Sequence, residues 1–131
     1  MEPVSGSSVW IGRALSGFAV LFLAFDGALK VMKLAPAIAG TVELGYPESA
    51  VVPIGLLLLA GVLLYAVPRT SLLGAIYLSA YLGGAVATHV RVGSPLFSHV
   101  LFPTYVAAVV WGGLALRVPR LRALLLNSSQ P

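Results

Sequence analysis

Apolar residues along this chain gather in four long runs, and neither the third nor the fourth has a polar face wide enough for water. The runs cover about 10–31, 50–67, 71–90 and 99–116. Each is close to the roughly 20 mostly apolar residues that an α-helix needs to cross a bilayer. The predicted fold is all-α: an integral-membrane, antiparallel four-helix bundle that forms one domain over 1–131. "PRT" at 68–70 is the whole link between the second and third runs, and Pro68 stops the preceding helix, so the two must form a hairpin. "RVGSP" at 91–95 turns the third run into the fourth. The longest link, "LAPAIAGTVELGYPES" at 34–49, mixes Pro, Gly and acids with apolar residues and reads as a short interfacial segment. After the fourth run, "RVPRLRALLLNSSQP" pairs Arg117, Arg120 and Arg122 with leucines. It predicts an interfacial segment over about 117–126 and then a polar end.

Lipid supplies no hydrophobic drive between helices, so small residues mark where backbones approach. The third run carries Ala75, Ser79, Gly83 and Ala87 at four-residue spacing, with Ala80, Gly84 and Thr88 beside them. The fourth carries Thr104, Ala108 and Gly112. These rows make the third run the expected most buried helix.

Composition supports the membrane reading. Of 131 residues 59% are hydrophobic and only 9% charged, against about 25% charged in soluble domains. There is no cysteine, which excludes disulfides, Cys-ligated zinc, iron–sulfur clusters and thiol redox chemistry within the chain. A net charge of +4, scattered along the chain, is no nucleic-acid surface. "AIA" at 37–39 resembles a signal-peptide cleavage site, but Asp26, Lys30 and Lys33 stand where such a peptide is uncharged. With four spans, Arg13, Arg69, Arg117, Arg120 and Arg122 lie on the side of the termini, and Lys30, Lys33 and Arg91 on the other. That asymmetry predicts a multi-pass cell-membrane protein with both termini in the cytoplasm.

The polar residues are not spread evenly. Asp26 lies about 24 Å along the first helix from Trp10, near the far interface, and Lys30 is on the same face one turn on. His89 and Arg91 close the third span on that side, His99 opens the fourth, and Glu43 and Tyr46 belong to the connection there. Asp26, Lys30, Glu43, Tyr46, Thr88, His89, Arg91 and His99 thus form one candidate layer for binding a ligand or handling protons. An ionisable group at this depth faces a partner or a wet cavity. Asp26 is read either as an ion pair with Lys30 or Arg91 that fixes register, or as a proton acceptor or ligand contact. Two histidines beside a single deep acid make a thin metal or haem site, and no HExxH motif occurs. No metal site and no catalytic residue are assigned: there is no nucleophile-elbow serine and no glycine-rich phosphate loop. Tyr46, Tyr65, Tyr81, Tyr105, Trp10 and Trp111 suit interface belts or packing, with Tyr81 and Tyr105 alternatively lining a cavity.

The blocks "FDGALKVMKL", "ELGYPES", "LYAVPRTSLLGA", "YLGGAVATHVRVGSPLFSHVLFPTY" and "WGGLALR", in that order, resemble the DoxX-like family of small four-helix membrane proteins. The matching positions are Asp26, Gly27, Lys30, Gly45, Tyr46, Pro47, Pro68, Arg69 and Thr70. They continue with Gly83, Gly84, Ala85, Thr88, His89, Arg91, Pro95, Leu96, Phe97 and His99. The resemblance implies a link to membrane oxidoreductases. The family name comes from a subunit associated with a thiosulfate:quinone oxidoreductase, other relatives join complexes that answer oxidative stress, and animal relatives assist receptor assembly. Without cysteine, thiol or persulfide chemistry here would need a partner subunit. The expectation is a non-catalytic or accessory membrane protein whose polar layer binds a lipid or quinone headgroup. It would carry no cofactor of its own, with a quinone as the candidate ligand, and its partners would be membrane lipids and other membrane or oxidoreductase subunits. One alternative is an oxidoreductase subunit handling protons beside a quinone, and another is a structural or assembly-chaperone protein without a ligand.

Overall fold

The structure is a computed structural model and describes residues 6–127. Its helices are α1 (Gly6–Val31), α2 (Ala35–Glu43), α3 (Val51–Ala66), α4 (Ser71–Arg91), α5 (Phe102–Arg117) and α6 (Pro119–Leu126). Short 3-10 turns at Glu48–Ala50 and Pro68–Thr70 lead into α3 and α4, and a π-helical turn at Leu96–Val100 leads into α5. With those turns, four helical segments are long and apolar enough to span a membrane: Gly6–Val31, Glu48–Ala66, Pro68–Arg91 and Leu96–Arg117. The fold class is as expected. The expected interfacial link holds α2, the C-terminal segment holds α6, and the polar tail beyond Asn127 lies outside the described residues.

The four spans form a ring in which each packs on two neighbours, α1 on α3 and α5, and α4 on α3 and α5. Contacts run antiparallel. Gly12 faces Gly113 and Phe22 meets Phe102 across α1–α5, while Gly61 faces Tyr77 and Gly74 faces Tyr65 across α3–α4. The fourth span starts at Leu96, earlier than predicted, and starts irregularly. Pro103 has no N–H for the carbonyl of His99, and the preceding turn closes with wider bonds, Val100 N–H to Pro95 O at 3.0 Å and Leu101 N–H to Leu96 O at 2.9 Å.

The expected packing rows hold at Ala75, which is fully buried, but not at their glycines. A side chain at Gly83 or Gly84 would meet nothing within 4 Å, and the same holds at Gly112. The tight glycines are others. A Cβ at Gly12 would sit 2.6 Å from the backbone N of Arg117, and one at Gly55 would sit 2.7 Å from Cβ of Lys30. The second span, not the third, has the largest buried share. α1 carries the close-packing stripe Gly12, Ser16, Ala19, Leu23 and Gly27.

The end of the bundle that holds the termini is closed by a hydroxyl network. Tyr65 is 1% exposed and donates to the carbonyl of Val110 at 2.6 Å. Its one proton is therefore used, so Ser16 donates to the Tyr65 oxygen, 2.8 Å away. Arg117 Nε in turn donates to Ser16 Oγ at 2.9 Å, and its Nη2 to Ser71 Oγ at 3.1 Å. The guanidinium also lies 5.4 Å from the centre of the Tyr65 ring. One side chain from each span enters this network, with the Val110 carbonyl as its end acceptor, and each donor polarises the next. Arg117, counted above as an interfacial basic residue, is tied into the bundle instead.

At the other end the helices stop by a shared device. Leu34 N–H reaches Leu29 O and Lys33 N–H reaches Lys30 O; Tyr46 reaches Thr41 and Gly45 reaches Val42; Ser94 reaches His89 and Gly93 reaches Val90. All three are Schellman caps, which need a left-handed residue at the turn. Lys33 (φ 55°), Gly45 (φ 91°) and Gly93 (φ 74°) supply it. These caps position Lys30, Tyr46 and His89. Gly93→Val should cost about 1–2 kcal/mol of stability, because nothing within 4 Å obstructs the new side chain and only the backbone penalty acts. Thermal denaturation in detergent measures it, and an unchanged midpoint would contradict the cap.

Candidate functional site

Between the closed end and the caps the four spans diverge around a cavity of about 460 Å³. α1 lines it with Phe22, Leu23, Asp26 and Lys30; α4 with Ala80, Tyr81, Gly84, Ala85, Thr88 and His89; α5 with Phe102, Pro103 and Val106; and α3 with Ile54 and Leu57. Thr41, Leu44 and Tyr46 roof it. The absence of a side chain at Gly84 is part of what makes this space. A second cavity of about 520 Å³ lies toward the connections, and Asp26, Lys30, Thr41, Leu44 and His89 line both. Glu43, Ser94 and His99 line the outer one alone.

Seven of the eight candidate residues therefore line one cavity or the other. Arg91, the last residue of α4, is exposed and lines neither. Asp26 pairs with Lys30 at 2.7 Å, so the pairing left open in the sequence goes to Lys30. The pair follows from their spacing of one helical turn. Its charges cancel on the cavity wall. An ammonium carries three N–H donors, and Asp26 takes one of them.

Tyr46 and Thr88 bridge the roof to α4 at 3.0 Å. The Thr88 hydroxyl donates to the carbonyl of Gly84 at 2.8 Å, so Tyr46 is the donor between the two. His89 Nδ1 is 3.0 Å from Ser94 Oγ, and His99 Nδ1 is 2.8 Å from Ser98 Oγ. The two imidazoles meet edge to face, ring centres 5.9 Å apart. Among the described residues, no buried side-chain nitrogen or oxygen lacks a hydrogen-bond partner. Nor do three or more His, Asp and Glu side chains among them converge as metal ligands would.

The arrangement offers a mostly apolar hollow with a few polar groups at one end, the usual make-up of a small-molecule site. Tyr81, one of the two tyrosines read as belt or cavity residues, takes the cavity role. Its signal was its register with Gly84, Ala85 and Thr88 along one face of the third span. Thr41 was missed altogether. It is 4% exposed and its hydroxyl bonds back to the carbonyl of Ala37 at 2.8 Å, and a lone threonine in a link gives no such signal.

No curated protein and no solved structure matches the chain. The sequence pattern of the DoxX-like family matches residues 14–113, which cover the second and third spans, most of the first and fourth, and every cavity-lining residue named here. This membrane protein therefore belongs to the DoxX-like family.

Proposed function

We propose that the protein binds a small amphipathic molecule whose uncharged, hydrogen-bonding head occupies the 460 Å³ cavity. The observation that carries this reading is the Asp26–Lys30 pair on the α1 wall, whose other lining residues are Phe22 and Leu23. Because the pair is internally neutral, it leaves no net charge to attract a phosphate, while Lys30 keeps donors for a carbonyl. A quinone head, flat and carrying two carbonyl acceptors, fits those terms better than an anionic lipid headgroup. If bound, a quinone would supply the redox chemistry. The chain's own residues would hold it: Lys30 donates, and Tyr81 and Phe22 offer ring faces. Five basic residues on the termini side against three opposite support cytoplasmic termini, with the cavity nearer the outer face.

The test is titration of purified protein in detergent with a decyl-tailed benzoquinone and with dioctanoyl phosphatidylglycerol. Saturable quinone binding is expected, about tenfold or more tighter than the anionic lipid. Asp26→Asn leaves Lys30 uncompensated and should move preference toward the anion. Failure of the quinone to bind saturably would overturn the reading.

A second reading, proton handling beside a quinone as an oxidoreductase subunit, draws on Asp26 and His89 lining both cavities. Such residues can pass protons between a bound head and the loop side. It predicts that His89→Ala slows quinone reduction in membranes carrying the partner enzyme without weakening quinone binding.

A further inference from the structure

α1 and α5 touch most closely at Gly12 and Gly113, beside the termini. Between Phe18 and Phe22, about 9–15 Å further along α1, the same pair of helices leaves a groove of about 260 Å³ on its outer side. Phe18 and Phe22 of α1 and Phe102, Tyr105, Val106 and Val109 of α5 line it. The groove is wholly apolar, because the Tyr105 hydroxyl is turned away to the carbonyl of Phe97 at 3.1 Å. Phe22, Phe102 and Val106 line both this groove and the main cavity. At the join stand Val106 and the tilted Phe22–Phe102 pair, ring centres 5.8 Å apart. Both rings are partly exposed, 39% and 44%, so the join is made of side chains on the bundle surface rather than packed backbone.

We propose that this seam is a lateral doorway: a ligand enters the cavity from the bilayer between α1 and α5, and its apolar tail stays in the groove past Phe22 and Phe102. The inference rests on the binding reading above and adds the chemistry of the tail. At roughly 30 Å³ for each water-sized group, the groove holds one chain of about nine methylenes. That is room for the tail of a single-chain amphiphile. Phenylalanines suit the position because aromatic side chains turn on two torsions without unwinding either helix. The close contact at Gly12–Gly113 holds the helices together while the rings move.

Two measurements test this in lipid nanodiscs. A benzoquinone carrying a mid-tail diazirine is photolysed on the wild-type protein, and crosslinked residues are mapped by mass spectrometry. Crosslinks are expected on Phe18, Phe22, Tyr105 and Val109; crosslinks confined to α3 and α4 would overturn the doorway. Separately, binding of a tail-less dimethoxy-methylbenzoquinone is compared with that of its decyl-tailed analogue. The tail should improve wild-type affinity roughly tenfold or more, and Val109→Trp, which fills the groove, should erase that advantage while head-only binding stays. If the head alone does not bind, the binding reading falls and the doorway with it. If the head binds but Val109→Trp leaves the advantage of the tail intact, only the doorway falls.

Discussion

Gly113→Leu is expected to lower the thermal midpoint in detergent by about 15 °C or more, while Gly112→Leu, one position away, leaves it nearly unchanged. A Cβ at Gly113 would stand 2.6 Å from Ser16 Oγ, 2.8 Å from the backbone N of Ser16 and 3.1 Å from the carbonyl of Gly12. Two of those atoms are backbone and cannot rotate aside, so α1 and α5 must separate. Separation also pulls Ser16 from Tyr65 and Arg117, which breaks the hydroxyl network that closes this end. Overpacking of a tight contact costs typically 1–3 kcal/mol. A leucine that also breaks a buried network should exceed about 4 kcal/mol. At Gly112 a new Cβ meets nothing within 4 Å. Similar midpoints for the two variants would mean that the helices do not cross where the structure places them.

The second large effect concerns binding. Gly84→Leu should weaken binding of the decyl-tailed quinone by about tenfold or more and leave the midpoint unchanged or slightly higher. Gly84 lines the cavity, and a Cβ there meets nothing within 4 Å, so the substitution meets no steric obstacle. A leucine side chain, four carbons of roughly 30 Å³ each, would fill about a quarter of the space. Replacing a helical glycine also gains up to about 1 kcal/mol in propensity. Gly83→Leu is the control. Gly83 has the same open surroundings but lines neither cavity, so it should stabilise similarly and bind normally. Wild-type affinity in Gly84→Leu would place the ligand elsewhere. A loss shared by both variants would trace the effect to the helix rather than to the cavity.

These two pairs of neighbouring glycines also mark where reading the sequence ran out. Four spans, their order and their sense followed from apolar run length and from links such as "PRT" that are too short for anything but a hairpin. Helix direction then sent Asp26, Lys30, Tyr46, Thr88, His89 and His99 to one end, and the structure places all of them around the two adjoining cavities. Length and turn chemistry act locally, so a single chain displays them.

Rotation of each helix about its axis is different. Gly83 and Gly84, or Gly112 and Gly113, lie only one residue apart, and small residues at four-residue spacing fit more than one face. Which face meets a neighbour depends on the sum of contacts over the whole ring of helices. That sum set the tight contacts at Gly12, Gly55, Gly74 and Gly113 and left Gly83, Gly84 and Gly112 open. It turned Tyr65 and Arg117 inward and Arg91 outward. The sequence by itself determined which residues share a level of the membrane, because rise per residue is a property of the helix. Only the tertiary structure decided which of them face one another, because azimuth is a property of the packed bundle.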